Sequence, residues 1–261
     1  MAILKLFAFG IVLFIVTPMF IVVPMSFSTA VSLEFPPPDY WLGYYRAYFS
    51  NPAWTTPTIN SILIAAATTV LTMVIVTPAA LAVTRYQFRG KTLVNLFLMM
   101  PMAAPSIVMA IAYYYFLGGL GLTQTHLGVI LAHVTLSVPI SLLVLSASLK
   151  GFDRSLERAA LNLGATPFQT FVLVTFPVIR PGFLVAAFFA FIHSFDETVV
   201  ALFISGRDAA TLPRKMFDSV RMDADPVIAV VSTLLFSLVF TGTIVIAILR
   251  MRRQATQIRR G

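Results

Sequence analysis

Apolar and polar positions alternate along this chain on the scale of a bilayer. Six long apolar runs, near 4–25, 60–84, 93–117, 127–149, 183–206 and 226–249, are separated by more polar segments, the longest being 26–59 and 150–182. A hydrocarbon layer about 30 Å thick takes roughly 20 helical residues to cross. Each run therefore predicts a spanning α-helix. The first run has too long an apolar core for a cleaved secretory signal and reads as an ordinary span. Prolines 18, 24, 78, 101, 105 and 139 fall inside the runs. Proline removes a backbone donor and kinks a helix, which a membrane tolerates where neighbouring groups re-satisfy the freed carbonyls. The small-residue run Ala65–Thr69 lets helices approach closely. The prediction is an all-α polytopic membrane protein with six transmembrane helices, residues 1–261 forming a single transmembrane domain.

Composition agrees: 59% of residues are hydrophobic and 11% charged, against about 25% charged in soluble domains. The chain has no cysteine, which excludes disulfides and thiolate metal sites. Net charge is +8, and its distribution decides its meaning. With the N-terminus cytoplasmic, thirteen of the eighteen basic residues fall on the inside, and six of the ten acids fall outside. Positive residues mark the cytoplasmic side, so both termini are expected there. The tail RMRRQATQIRR then reads as an orienting anchor, not a nucleic-acid arm.

The segment from Lys150 to Gly182 is too polar at its start for lipid and too patterned for a slack link. Asp153 or Ser155 is placed to cap a short helix through Leu163. Leu156, Ala159, Ala160 and Leu163 recur on one face of it. Gly164 suits a left-handed stop, and Pro167 the first turn of a second helix to about Thr175. Pro177 and Pro181 are expected to end that helix. From these residues alone the segment is either a docking element for a partner or a structural elbow.

The pattern ERAALNLGA…FPVIRPG within this segment resembles the EAA loop of ATP-binding-cassette importer permeases. Ala159, Ala160, Gly164 and Pro177 match the family pattern. Arg158 stands at the usual Glu position, with Glu157 just before it; a salt bridge made from that Glu elsewhere in the family then falls to Glu157. The stretch Ser194–Leu234 is similar to the C-terminal half of spermidine/putrescine permeases of the PotC-like branch, with an acidic pair after Ser-Phe, then TLP, then Pro-x-Ile-Ala. The resemblance implies the type I, binding-protein-dependent (MetI-like) permease fold in the inner membrane. It implies that Glu157, Arg158, Ala159, Ala160, Gly164, Ala165, Pro167 and Pro177 form a coupling helix region gripped by a cytoplasmic ATPase. The implied partners are a second permease in a heterodimer, two ATPase subunits, an extracytoplasmic solute-binding protein and the lipid bilayer, with no nucleic acid.

ATP and Mg would be held by those ATPase subunits, with no cofactor or metal in this chain. Phe88–Thr92 reads FRGKT, the end of a Walker A loop, but Arg85 stands where the first Gly of that loop belongs. A membrane span follows it, so the segment is a basic turn. No nucleophile–base or metal constellation points to an enzyme, and the three histidines share no ligand spacing.

Asp196 and Glu197 sit side by side in the fifth apolar run, with His193 one turn earlier. On a helix starting near Gly182, Asp196 is roughly 20 Å up. A charge there costs about 2.5–3.5 kcal/mol unless paired or wetted. The acids are expected in a water-filled cavity or against a basic partner. In the first case they attract a cationic solute, with Phe195 offering a cation–π face. In the second they are a structural lock. On one continuous helix the two acids diverge by about 100°; nothing in the sequence shows a break. His126 and His133 read as packing residues. Tyr113, Tyr114 and Tyr115 read as an interfacial aromatic belt, with Tyr114 as the alternative pathway residue. The loops 34–49 and 207–225 are candidate contacts for a binding protein, Pro213 opening a short helix in the second and Asp225 capping the last span. The expected solute is a polyamine or similar small cation. The alternatives are an opine, phosphonate or other small polar solute in the same machinery, or a proton-coupled secondary transporter working through Asp196, Glu197 and His193.

Overall fold

The computed structural model describes residues 2–222 and 225–258. Among them the regular structure is helical: α1 (Ala2–Met25), α2 (Gly43–Ser50), α3 (Pro52–Arg85), α4 (Lys91–Ala103), α5 (Ser106–Gly119) and α6 (His126–Lys150) come first. They are followed by α7 (Arg154–Asn162), α8 (Pro167–Thr170), a π-helical stretch (Phe171–Thr175), α9 (Phe176–Asp196), α10 (Val199–Ile204), α11 (Leu212–Met222) and α12 (Val227–Ile258). Five helices are long and apolar enough to cross a membrane, or six when α4 and α5 count as one crossing. The basic C-terminal tail expected as an anchor lies largely outside the residues whose side chains are described.

The third predicted span is not one helix. Its halves α4 and α5 meet at 105°. Ala104 is extended, as a residue before Pro105 prefers, and Pro105 cannot donate to the preceding turn. The second span begins earlier than its apolar run, at Pro52, because Asn51 caps it: its carbonyl and Oδ1 accept from Trp54 and Ala53. The segment Pro167–Thr175 does not stop at Pro177 and Pro181; it runs straight into α9 as one helix from Pro167 to Asp196. Pro177 falls in the first turn after the π-helical stretch, and Pro181 lies inside α9. The fifth span then ends at Asp196, where an uninterrupted run to Gly206 was expected.

The chain forms two compact units, one of residues 56–215 and one of the segments before and after it. In the larger unit α6 is the central helix. It packs along α9, where the Ser141 hydroxyl donates to the Ala186 carbonyl at 3.3 Å. A Cβ at Gly182 would collide with the Ser148 side chain, so Gly182 is what lets α9 approach α6 this closely. Met73, Val76 and Ala80 of α3 join Val138, Leu142, Leu145 and Leu149 of α6 in one core. Ile64, Ala110, Val129, Val200 and Ile204 make a second, joining α3, α5, α6 and α10.

In the smaller unit α1 packs on α12, and Phe20 meets Phe236 edge-on at 5.9 Å. The Asp225 carboxylate accepts from the Val227 backbone N–H at 3.0 Å and from the Trp54 indole at 3.2 Å. It caps α12 as expected and ties down the start of α3. The aromatic loop before α2 folds on itself: the Trp41 indole donates to the Ser28 carbonyl and the Tyr44 hydroxyl to the Ala30 carbonyl, both at 2.6 Å.

Candidate functional site

The helix–turn–helix after α6 is built as its residues dictate. The Asp153 side chain caps α7 by accepting from the Ser155 backbone N–H at 2.9 Å and from its hydroxyl at 2.7 Å. These two bonds hold the Asp153 carboxyl below the usual carboxylate range. The cap is therefore charged at neutral pH and is lost only as pH falls through that lowered value. At the other end Gly164 takes φ +90°, and the N–H groups of Gly164 and Ala165 return to the carbonyls of Leu161 and Ala160. This is a Schellman stop. Thr166 and Gln169 then form a reciprocal capping box around Pro167.

No residue of α7 is buried, and Leu156, Leu161, Leu163 and Phe168 stand exposed around the turn. Ala159 is exposed and Ala160 half-buried; Arg158 points to solvent. Glu157 does not. Its Oε1 accepts from Arg85, the last residue of α3, at 3.1 Å, and from the Thr175 hydroxyl at 2.8 Å. The pair is largely buried, with side-chain exposures of 8% for Arg85 and 17% for Glu157. The guanidinium also lies 5.2 Å from the centre of the Phe152 ring. One carboxylate thus joins α7, the end of α3 and the π-helical turn. Reading the sequence found Glu157 but neither partner; Arg85 was only one more basic residue in a loop.

At the far end of α9 the chain leaves the helix at the acidic pair. Glu197 is extended (φ −70°, ψ 106°), and its Oε1 accepts from the Val200 backbone N–H at 3.0 Å. It caps the short helix α10. The 100° divergence expected of neighbours on a continuous helix does not apply here. Asp196, Glu197 and His193 line one cavity of about 350 Å³ with Ile140, Phe189 and Ile192. Phe195 is not in its wall; it stacks on Phe191 at 6.0 Å. Tyr114 is also elsewhere, half exposed and edge-on to Tyr115. Tyr113 bonds the Thr135 hydroxyl.

Behind the cavity, His133 is fully buried and its Nδ1 lies 2.9 Å from the Ser194 hydroxyl. Thr68, Thr72 and Ser137 are buried on the same helices, α3 and α6. His126 opens α6 and meets Asn60 Oδ1 at 3.0 Å. His133 Nε2 is buried with no partner among the described residues. Among the described residues no group of three or more His, Asp or Glu is arranged to hold a metal ion.

A membrane-spanning bundle with a projecting, capped helix–turn–helix is the architecture of an importer's membrane subunit, and comparison with known proteins agrees. Residues 75–255 match the family described as the binding-protein-dependent transport system inner membrane component, and the chain belongs to that family. It is a non-catalytic, multi-pass inner-membrane permease subunit of an ATP-binding-cassette importer, with ATP hydrolysed by separate subunits. It is 30% identical to the putrescine transport system permease protein PotI of Escherichia coli over 237 residues, 87% of this chain and 83% of that one. It is 29% identical to the spermidine/putrescine transport system permease protein PotC of Haemophilus influenzae, over 76% of this chain and 79% of that one. A trehalose transport system permease, SugB of Mycobacterium tuberculosis, is 34% identical over 64% of this chain and 61% of that one. In fold, the chain matches a bacterial transporter that imports alginate, with a TM-score of 0.72, 16% identity and 95% coverage of both chains.

Proposed function

We propose that this permease carries a polyamine or similar small cation, and that the cavity at Asp196, Glu197 and His193 is part of its path. The observation that carries this is the break in the fifth span: it turns two carboxylates out of helical register and into one cavity. Among the described residues no Lys or Arg of this chain lines that cavity, which favours an incoming cation over an internal lock. The likeness to PotI and PotC supports the same substrate class. Both termini lie in the cytoplasm, as the basic residues suggest, which puts α7 and α8 against the ATPases and the acidic cavity toward the binding protein. The second permease is a different chain.

The test is uptake by the assembled importer carrying Asp196→Asn with Glu197→Gln. Hydrogen bonds to a charged group contribute about 1.5–3 kcal/mol, so losing the charges should lower polyamine uptake by roughly tenfold or more while the ATPases still bind. Unchanged polyamine uptake would remove the acids from the path. Should the cognate binding protein hold a sugar or an anion and no polyamine, the substrate reading fails while the permease assignment stands.

A further inference from the structure

The larger unit has a second cavity, of about 580 Å³, formed by the last turn of α3 with the residues after it, the first turns of α4 and the end of α6. Its chemistry is opposite to that of the acidic cavity. Lys91 and Lys150 line it with Gln87, Thr92, Asn95 and Ser146, and none of its lining residues is acidic. Two ammonium groups would repel a polyamine, so this cavity is no part of a cation path. Lys91 uses one N–H on the Tyr86 carbonyl, at 3.1 Å, and keeps two more. The Ser146 hydroxyl is buried with no partner among the described residues. Thr92 stands in the first turn of α4, which has no side-chain cap at Gly90. Donors, orphaned hydroxyl and charge together fit a phosphate-bearing anion.

The rest of the wall is apolar, with Met99 and Leu142. Val83 and the exposed Leu143 continue that wall. A polar end with lysines at the ends of two spans, continued by an open apolar wall, has the layout of an amphiphile. The geometry points to an anionic phospholipid, its headgroup phosphate held by Lys91 and Lys150 and its acyl chains along Met99, Leu142 and Leu143. Phe88–Thr92, which has no place in ATP binding, thus receives a role as one wall of a lipid site.

The assembled importer is placed in nanodiscs of phosphatidylcholine, with or without phosphatidylglycerol, and lysine acetylation is followed by mass spectrometry. With phosphatidylglycerol, Lys91 and Lys150 should react more slowly by about fivefold each relative to the other lysines. Native mass spectrometry should show one tightly held phosphatidylglycerol per chain, absent from Lys91→Gln/Lys150→Gln. Equal protection in both nanodiscs would mean that protein covers the cavity and would overturn the proposal. So would equal protection by inorganic phosphate alone, which marks a free-anion site. Because the acetylation arm uses the unaltered chain, a variant that fails to assemble does not rescue the idea.

Discussion

Arg85→Ala should reduce ATP-driven uptake by at least tenfold and loosen the larger unit measurably. The change removes the guanidinium but leaves the Glu157 carboxylate in place, 17% exposed and held only by Thr175. Removing one partner of a buried pair costs about 3–5 kcal/mol, a large part of the roughly 5–15 kcal/mol that stabilises a typical domain. Here the loss is concentrated where α7 is tied to α3. Glu157→Gln should do less, because the amide oxygen still accepts from both Arg85 and Thr175, although the guanidinium, the more buried partner, loses its counter-charge. The reversed pair, Arg85→Glu with Glu157→Arg, should recover part of the loss. A thermal melt and an uptake assay on the unaltered chain, Arg85→Ala, Glu157→Gln and the double variant carrying both give the coupling between the two residues. Additive effects, with no recovery in the reversed pair, would show that the contact does not transmit anything.

Gly164→Glu should leave membrane insertion intact and bring uptake to background. Gly164 has φ +90°, a conformation that costs other residues about 1–2 kcal/mol. A Cβ there meets nothing within 4 Å, so crowding inside the chain is not the obstacle. The obstacles are the strained stop of α7 and a carboxylate beside Leu163 and Phe168, the most exposed apolar side chains of the turn. Gly164→Ala brings the strain without the charge and should give an intermediate effect. Copurification of the ATPase with each variant separates the two causes. Full ATPase recovery and normal uptake with Gly164→Glu would contradict the docking role of this turn.

The spans and the coupling segment were legible because their signals are local. Roughly 20 apolar residues predict a crossing wherever they stand, and Asp153, Gly164 and Pro167 each act on the backbone beside them. The breaks were not legible. Pro101 and Pro105 announced a kink, but a kink and a 105° reversal carry the same residues. The stop at Asp196 has no proline or glycine to mark it, since Glu197 makes it with its own side chain on Val200. Pro177 and Pro181 pointed the wrong way: proline reads as a terminator, whereas this helix runs through both. The Arg85–Glu157 pair joins residues 72 apart, and one sequence contains no term that relates them. The cavity residues Asp196, Glu197 and His193 were found because carboxylates in an apolar run are conspicuous. Phe195, expected as a cation–π face, stacks on Phe191, and Tyr114 lies edge-on to Tyr115.

The uninterrupted helix from Pro167 to Asp196 has a mechanical consequence. At about 1.5 Å per residue it is roughly 45 Å long, with the Glu157 contact at Thr175 toward one end and the acidic pair at the other. Thr175 rides on it while bonded to Glu157, so a tilt of α7 is passed to this helix. If α7 docks on an ATPase, its displacement is carried along this helix to Asp196, where the helix ends and Glu197 holds the Val200 N–H.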